Sequence, residues 1–150
     1  MNRVVGDFTA DATGDQKIRL NDLRGKNLVI YFYPKDSTPG CTTEGRDFSA
    51  LHGKFRRANT IILGVSRDSL ASHEKFKSKQ GFPFELLSDP DEKLCRKFDV
   101  IHEKTLYGRK FMGVVRSTFL IDASGKLRRE WRNVKVKGHA EEVLEAVKAL

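Results

Sequence analysis

Residues 26–44 read KNLVIYFYPKDSTPGCTTE. Lys26 to Tyr33 holds a continuous run of β-branched and aromatic residues, which predicts a strand buried on both faces. A loop with Pro34, Pro39 and Gly40 follows, and Cys41 stands where the next helix should start. A strand that feeds a helix through a short loop is the unit from which α/β layers are built.

Working outward, Thr43 to Ala58 places Phe48, Leu51 and Phe55 at helical spacing, with Gly53 interrupting but not ending the pattern. Thr60 to Ser66 reads as a second buried strand. Asp68 or Ser69 can cap the next helix, which Gly81 stops. Phe84 to Leu87 is a short strand, and Ser88 to Asp91 opens a helix through Phe98. Ser117 to Asp122 is strand-like, with Leu127 to Trp131 as its hairpin partner across the turn residues 123–126. Ala140 to Leu150 closes the chain as a helix. Between them, Ile101 to Arg116 reads as a long loop punctuated by Gly108 and Gly113. The order βαβαβα, then a hairpin and a helix, predicts an α/β fold of thioredoxin-like type, a central mixed sheet flanked by helices. Residues 1–150 are expected to form one domain.

Composition agrees with a soluble globular chain: 150 residues, 39% hydrophobic and 32% charged. No apolar stretch reaches the roughly 20 residues that span a bilayer, and the N-terminus lacks the apolar segment of a secretory signal. Two cysteines do not make a disulfide framework, so a reducing, cytoplasmic setting is expected. The net charge of +8 raises nucleic acid as a partner, through clusters at Lys54, Arg56 and Arg57, at Lys75, Lys77 and Lys79, and from Lys126 to Lys137. These alternate with apolar residues as solvated faces of amphipathic elements do. Any nucleic-acid binding should therefore be weak, indifferent to sequence and sensitive to salt. His52, His73, His102 and His139 fit no ligand spacing and read as ordinary residues. Neither a metal nor a cofactor is expected.

Cys41 carries the chemistry. The crevice beyond the carboxyl ends of the strands is where α/β proteins bind ligands. A helix start offers unpaired N–H groups and a partial positive charge, both of which favour thiolate over thiol. Pro39 and Gly40 shape the turn. Thr38 supplies a hydroxyl at Thr-x-x-Cys spacing, which is the Cys-x-x-Cys redox motif with its first thiol replaced. Ionisation alone accelerates little. A free thiol of pKa ~8.5 is already a few per cent ionised at neutral pH, so full ionisation gains roughly tenfold to thirtyfold. Faster chemistry needs donors aimed at the reacting oxygens, each worth about 100- to 1000-fold. Arg116, immediately before a predicted strand, is the candidate cation.

The segment Pro34-x-x-x-Thr38-x-x-Cys41 resembles the active-site motif of peroxiredoxins. The strings DLRGKNLVIYFYPKDSTPGCTTE, RSTFLID and VKVKGHAEEVLEAV are similar to the bacterioferritin comigratory protein, or peroxiredoxin Q, branch, and the likeness extends over nearly the whole chain. The resemblance implies a thiol peroxidase reducing hydrogen peroxide and organic hydroperoxides. It casts Cys41 as nucleophile, Thr38 as positioning both thiolate and peroxide, and Arg116 as activating both. Pro34 would shield the substrate pocket and Glu44 would help to hold the arginine. The implied partner is a thiol reductant such as thioredoxin, glutaredoxin or a small thiol, and the implied state is a monomer or weak dimer.

The branch commonly carries a resolving cysteine five residues after the nucleophile or in the following helix. Arg46 and Lys77 occupy those positions. Cys95 is the remaining thiol. It shares a helix face with Leu94 and Phe98, which points it into the core and disfavours a resolving role. One-cysteine recycling through a Cys41 sulfenic acid is the expectation. Cys95 as resolving thiol, thiol–disulfide exchange without peroxide, and a basic nucleic-acid-binding module are the alternatives.

Overall fold

The computed structural model describes residues 2–150. Its main sheet has seven strands in the order β2-β1-β5-β4-β3-β8-β9. These are β1 (Thr9–Ala12), β2 (Gln16–Arg19), β3 (Asn27–Phe32), β4 (Thr60–Ser66), β5 (Glu85–Ser88), β8 (Ser117–Ile121) and β9 (Leu127–Trp131); β6 (Ile101–Leu106) and β7 (Arg109–Val114) pair apart from it. Strands β3, β4 and β5 run parallel, whereas β8 lies antiparallel to β3 and β1 antiparallel to β5. The helices are α1 (Pro39–Ala50), α2 (His52–Arg57), α3 (Leu70–Gln80), α4 (Lys93–Lys97) and α5 (His139–Lys148). This is the expected mixed sheet flanked by helices, a thioredoxin-like fold.

Strand β3 shows why its sequence is continuously apolar. Leu28, Ile30 and Phe32 enter one core with Val65, Leu94, Cys95, Phe98 and Phe119. Val29, Tyr31 and Tyr33 enter the other with Cys41, Phe48, Phe55, Phe76 and Val143. Alternate side chains of a strand point to opposite faces, so a strand buried on both has no polar register. The two cysteines therefore lie in separate cores on opposite faces of the sheet.

Several element boundaries differ from the sequence reading, each for a physical reason. Helix α1 starts at Pro39 rather than Thr43, because a proline at the first helical position loses no hydrogen bond. The interruption falls at Leu51, whose N–H turns back three residues to the Phe48 carbonyl, while Gly53 lies inside α2. Ser69 is the cap of α3, its hydroxyl accepting from the Ser72 N–H at 3.2 Å; Asp68 faces elsewhere. Helix α4 is shorter than expected, since Asp89 reaches past the turn and accepts from the Leu94 and Cys95 N–H groups. The stretch from Ile101 to Arg116 is not a loop but a hairpin, turning through Tyr107 and Gly108 with φ of 51° and 75°. Leu106, Tyr107, Phe111 and Met112 are exposed on it, so neither face imposes the alternation by which half-buried strands are read.

Many of the basic side chains have local partners. Arg132 donates to the Phe98 and Asp99 carbonyls, Arg128 pairs with Asp122, and Arg129 lies over the Trp131 ring. Among the described residues, no helix is long and apolar enough to cross a membrane.

Candidate active site

Sheet register brings the site together. Phe32, the last residue of β3, pairs with Ser117, the first of β8. Because β8 runs antiparallel, its entry lies beside the exit of β3, and Arg116 arrives next to Cys41 although 75 residues separate them. The Arg116 Nη2 group donates to Cys41 Sγ at 3.3 Å, and Nη1 donates to Glu44 Oε1 at 2.6 Å. Gly40 leaves room for this approach: a Cβ there would stand 3.1 Å from Arg116 Nη2. Cys41 is 2% exposed and Glu44 1%, so the cation spans two buried groups.

Helix α1 adds donors. Its first i→i−4 bond runs from the Thr42 N–H to the Thr38 carbonyl, which leaves the Gly40 and Cys41 N–H groups without an intrahelical partner at the open end of α1. Pro34 and Arg116 line a neighbouring cleft of about 540 Å³ with Lys104, Val115, Arg132 and Val134. Thr38 is close in sequence, but its hydroxyl donates to the Lys35 carbonyl at 2.8 Å. Its proton is thus committed to the loop backbone, and its oxygen can act only as an acceptor.

Glu44 is under electrostatic tension. Burial pushes its carboxyl up to about 7, against the pull of the Arg116 guanidinium. Arg116 is lowered by burial, but Glu44 and Cys41 more than offset this and raise it overall. Glu44 Oε2 is buried without a hydrogen-bond partner among the described residues, which gives the desolvation a structural cause. A carboxyl with a raised folded-state pKa stabilises the fold fully below its unfolded value, near 4.5, and loses that contribution as pH rises through about 7. Glu44→Gln should therefore gain stability relative to the parent across that window, by roughly 3 kcal/mol at most. Urea unfolding at pH 4.5 and 8 measures it. A difference that does not change with pH would show the carboxylate to be ionised throughout.

Cys95 lies across the sheet from this centre, fully buried. Burial, then its hydrogen bond with Asp89, push its thiol far above the ordinary range. Trp131 packs on α5 instead of entering the cleft, with its indole N–H donating to Glu142 at 3.2 Å. Sequence reasoning missed His73 and Asp36, which meet in a buried cluster beneath the loop. No local motif marks a contact between residues 37 positions apart.

A thioredoxin-like sheet presenting a buried cysteine at a helix start, backed by an arginine, defines a thiol-based redox protein. Residues 1–130 match the AhpC/TSA family. Peroxiredoxin Bcp of Xanthomonas campestris pv. campestris is 56% identical over 143 residues, covering 95% of this chain and 89% of that protein. Peroxiredoxin Bcp of Bacillus subtilis is 50% identical over 133 residues, covering 89% and 85%. A structure of the Xanthomonas campestris bacterioferritin comigratory protein, from work on its alkyl peroxide reduction activity, superposes with a TM-score of 0.91 at 55% identity, over 95% of this chain and 90% of that one. BcpB of Mycobacterium tuberculosis gives 0.87 at 30% identity, over 99% and 96%. The chain belongs to the AhpC/TSA family, in its peroxiredoxin Bcp or peroxiredoxin Q branch, and is a thiol-dependent peroxidase.

Proposed function

We propose that the chain, acting as one domain in the cytoplasm, reduces hydrogen peroxide and organic hydroperoxides through Cys41. The sulfur attacks the terminal peroxide oxygen; an S–O bond forms, the O–O bond breaks, and the leaving hydroxide or alkoxide takes a proton. Cys41 is left as a sulfenic acid. A first external thiol displaces water to give a mixed disulfide, and a second releases Cys41 and a disulfide. Arg116, aimed at both sulfur and crevice, stabilises the charge that moves from sulfur to oxygen, with the Gly40 and Cys41 N–H groups as further donors. The Thr38 hydroxyl, donating to Lys35, is oriented to accept a hydrogen bond from the peroxide O–H. Pro34 walls the pocket and Glu44 holds Arg116.

The observation that carries this reading is the single guanidinium bonded at once to the Cys41 sulfur and the buried Glu44 carboxylate. Peroxide consumption with dithiothreitol as the only reductant tests it. Turnover is expected, and disulfide reduction without peroxide consumption would favour a thiol–disulfide oxidoreductase instead.

External recycling is supported by the placement of Cys95. The sheet lies between the two sulfurs, and a disulfide needs Cα atoms within about 7 Å. Cys95→Ser should keep more than about half of the parent turnover with a small-thiol reductant, because one functional thiol suffices. An intramolecular Cys41–Cys95 disulfide in most molecules, with loss of turnover in the variant, would assign Cys95 the resolving step.

A further inference from the structure

The loop carrying Pro34 and Thr38 is held from beneath by a buried polar cluster that the oxygen-transfer chemistry does not use. Asp36 is 5% exposed. Its Oδ1 accepts from the Tyr33 hydroxyl at 2.6 Å, and its Oδ2 meets the Ser72 hydroxyl at 2.8 Å and His73 Nδ1 at 2.7 Å. The Asp36 N–H donates to Asp68 Oδ2 at 2.9 Å, and the Ser66 hydroxyl donates to that same oxygen.

His73 has no exposed surface, and its Nε2 lies 2.8 Å from the Leu87 carbonyl. A carbonyl can only accept, so Nε2 carries a hydrogen. One further proton then lies between Nδ1 and Asp36 Oδ2. Whichever atom holds it, the pair keeps its hydrogen bond; without it, two lone pairs would face each other. The ring is thus fixed at both ends, between β5 and the loop. Asp36, Asp68 and His73 have potential ligand atoms within 4.8 Å of one another, but Asp36 Oδ2, Asp68 Oδ2 and both ring nitrogens already serve these hydrogen bonds.

The cluster lies beside a residue in an uncommon backbone conformation. Ser37, between Asp36 and Thr38, has a φ of 63°, in the left-handed region. A non-glycine residue is uncommon there and costs backbone energy that the rest of the fold must offset. Both neighbours of Ser37 are tied at backbone and side chain: Thr38 to the Lys35 carbonyl and the start of α1, and Asp36 to the buried cluster beneath the loop.

We propose that the Asp36–His73 pair is the positioning device of the peroxide loop. It sets where the Thr38 hydroxyl and the Pro34 ring stand relative to Cys41. The inference rests on the peroxidase reading above. Its consequence is selective: loss of the pair slows oxygen transfer, which needs an oriented peroxide, and spares sulfur chemistry that needs no loop.

The test compares two reactions of Cys41 in the full chain, with hydrogen peroxide and with iodoacetamide. In Asp36→Ala the peroxide rate constant should fall about 10- to 100-fold, the scale of a roughly 1 Å misplacement, while alkylation stays within about threefold. Asp36→Asn keeps the shape, and its amide can donate to Nδ1 while its oxygen accepts from Tyr33, so most of the peroxide rate should return. Equal losses in both reactions, no loss in either, or an Asp36→Asn as slow as Asp36→Ala would overturn the proposal. Should Asp36→Ala not fold, Ser72→Ala removes one donor at the half-buried edge. It should lower the ratio of peroxide to alkylation rates by about twofold to fivefold, and an unchanged ratio overturns the proposal equally. Peroxidase activity persisting in Cys41→Ser is a separate result, which would sink the peroxidase reading and not the loop geometry.

Discussion

Cys41→Ser is expected to abolish peroxide turnover while leaving the fold intact. Serine matches cysteine closely in shape, so the packing of Cys41 beside Tyr31 and Phe48 should survive with little change in unfolding midpoint. Its hydroxyl is a far weaker nucleophile in this setting, and the other cysteine is buried across the sheet with a thiol held protonated by burial and by Asp89. Among the described residues these two are the free thiols. Initial rates with dithiothreitol and circular dichroism of the same sample check both halves. Turnover above a few per cent of the parent rate would show that Cys41 is not the nucleophile.

Arg116→Ala should slow peroxide attack by about 100- to 1000-fold, the usual loss for a donor aimed at developing charge. If Arg116 served only to ionise the sulfur, the deficit would be limited to roughly thirtyfold, and raising the pH past the ordinary thiol range would erase it. The guanidinium touches the sulfur through one nitrogen only and faces the cleft, so the deficit should persist at high pH. Removing Arg116 also strands the buried Glu44 carboxyl. Arg116→Ala combined with Glu44→Gln is therefore the cleaner comparison, since it leaves no unpaired charge to disturb α1. Full recovery of the parent rate at high pH in either variant would restrict Arg116 to an effect on ionisation.

How much of this was legible in sequence depends on whether the signal was local. Strand β3, the placing of Cys41 in the first turn of a helix and the position of Arg116 before β8 were legible because apolar runs, Pro39 and Gly40 act on their immediate neighbours, although the helix itself begins earlier than its apolar spacing showed. Helix faces were legible too: Leu94, Cys95 and Phe98 are buried as their spacing predicts. Which side of the sheet that face meets was not, because it depends on how the chain crosses over. The β6–β7 hairpin escaped notice since both its faces meet solvent and its turn uses Tyr107-Gly108 in place of the usual Asn-Gly. The short polar strands β1 and β2 carry equally little pattern. The direction of the Thr38 hydroxyl and the meeting of Asp36 with His73 are products of tertiary packing, to which no spacing rule applies.

The most direct test of Cys41 as a one-cysteine peroxidatic centre is the mass of the whole protein after one equivalent of hydrogen peroxide without reductant, followed by peptide mapping. The expected product carries one added oxygen on Cys41, or a disulfide from Cys41 to another molecule, with Cys95 still a free thiol. An intramolecular Cys41–Cys95 disulfide in most molecules, or oxygen on Cys95 with Cys41 unmodified, would contradict it.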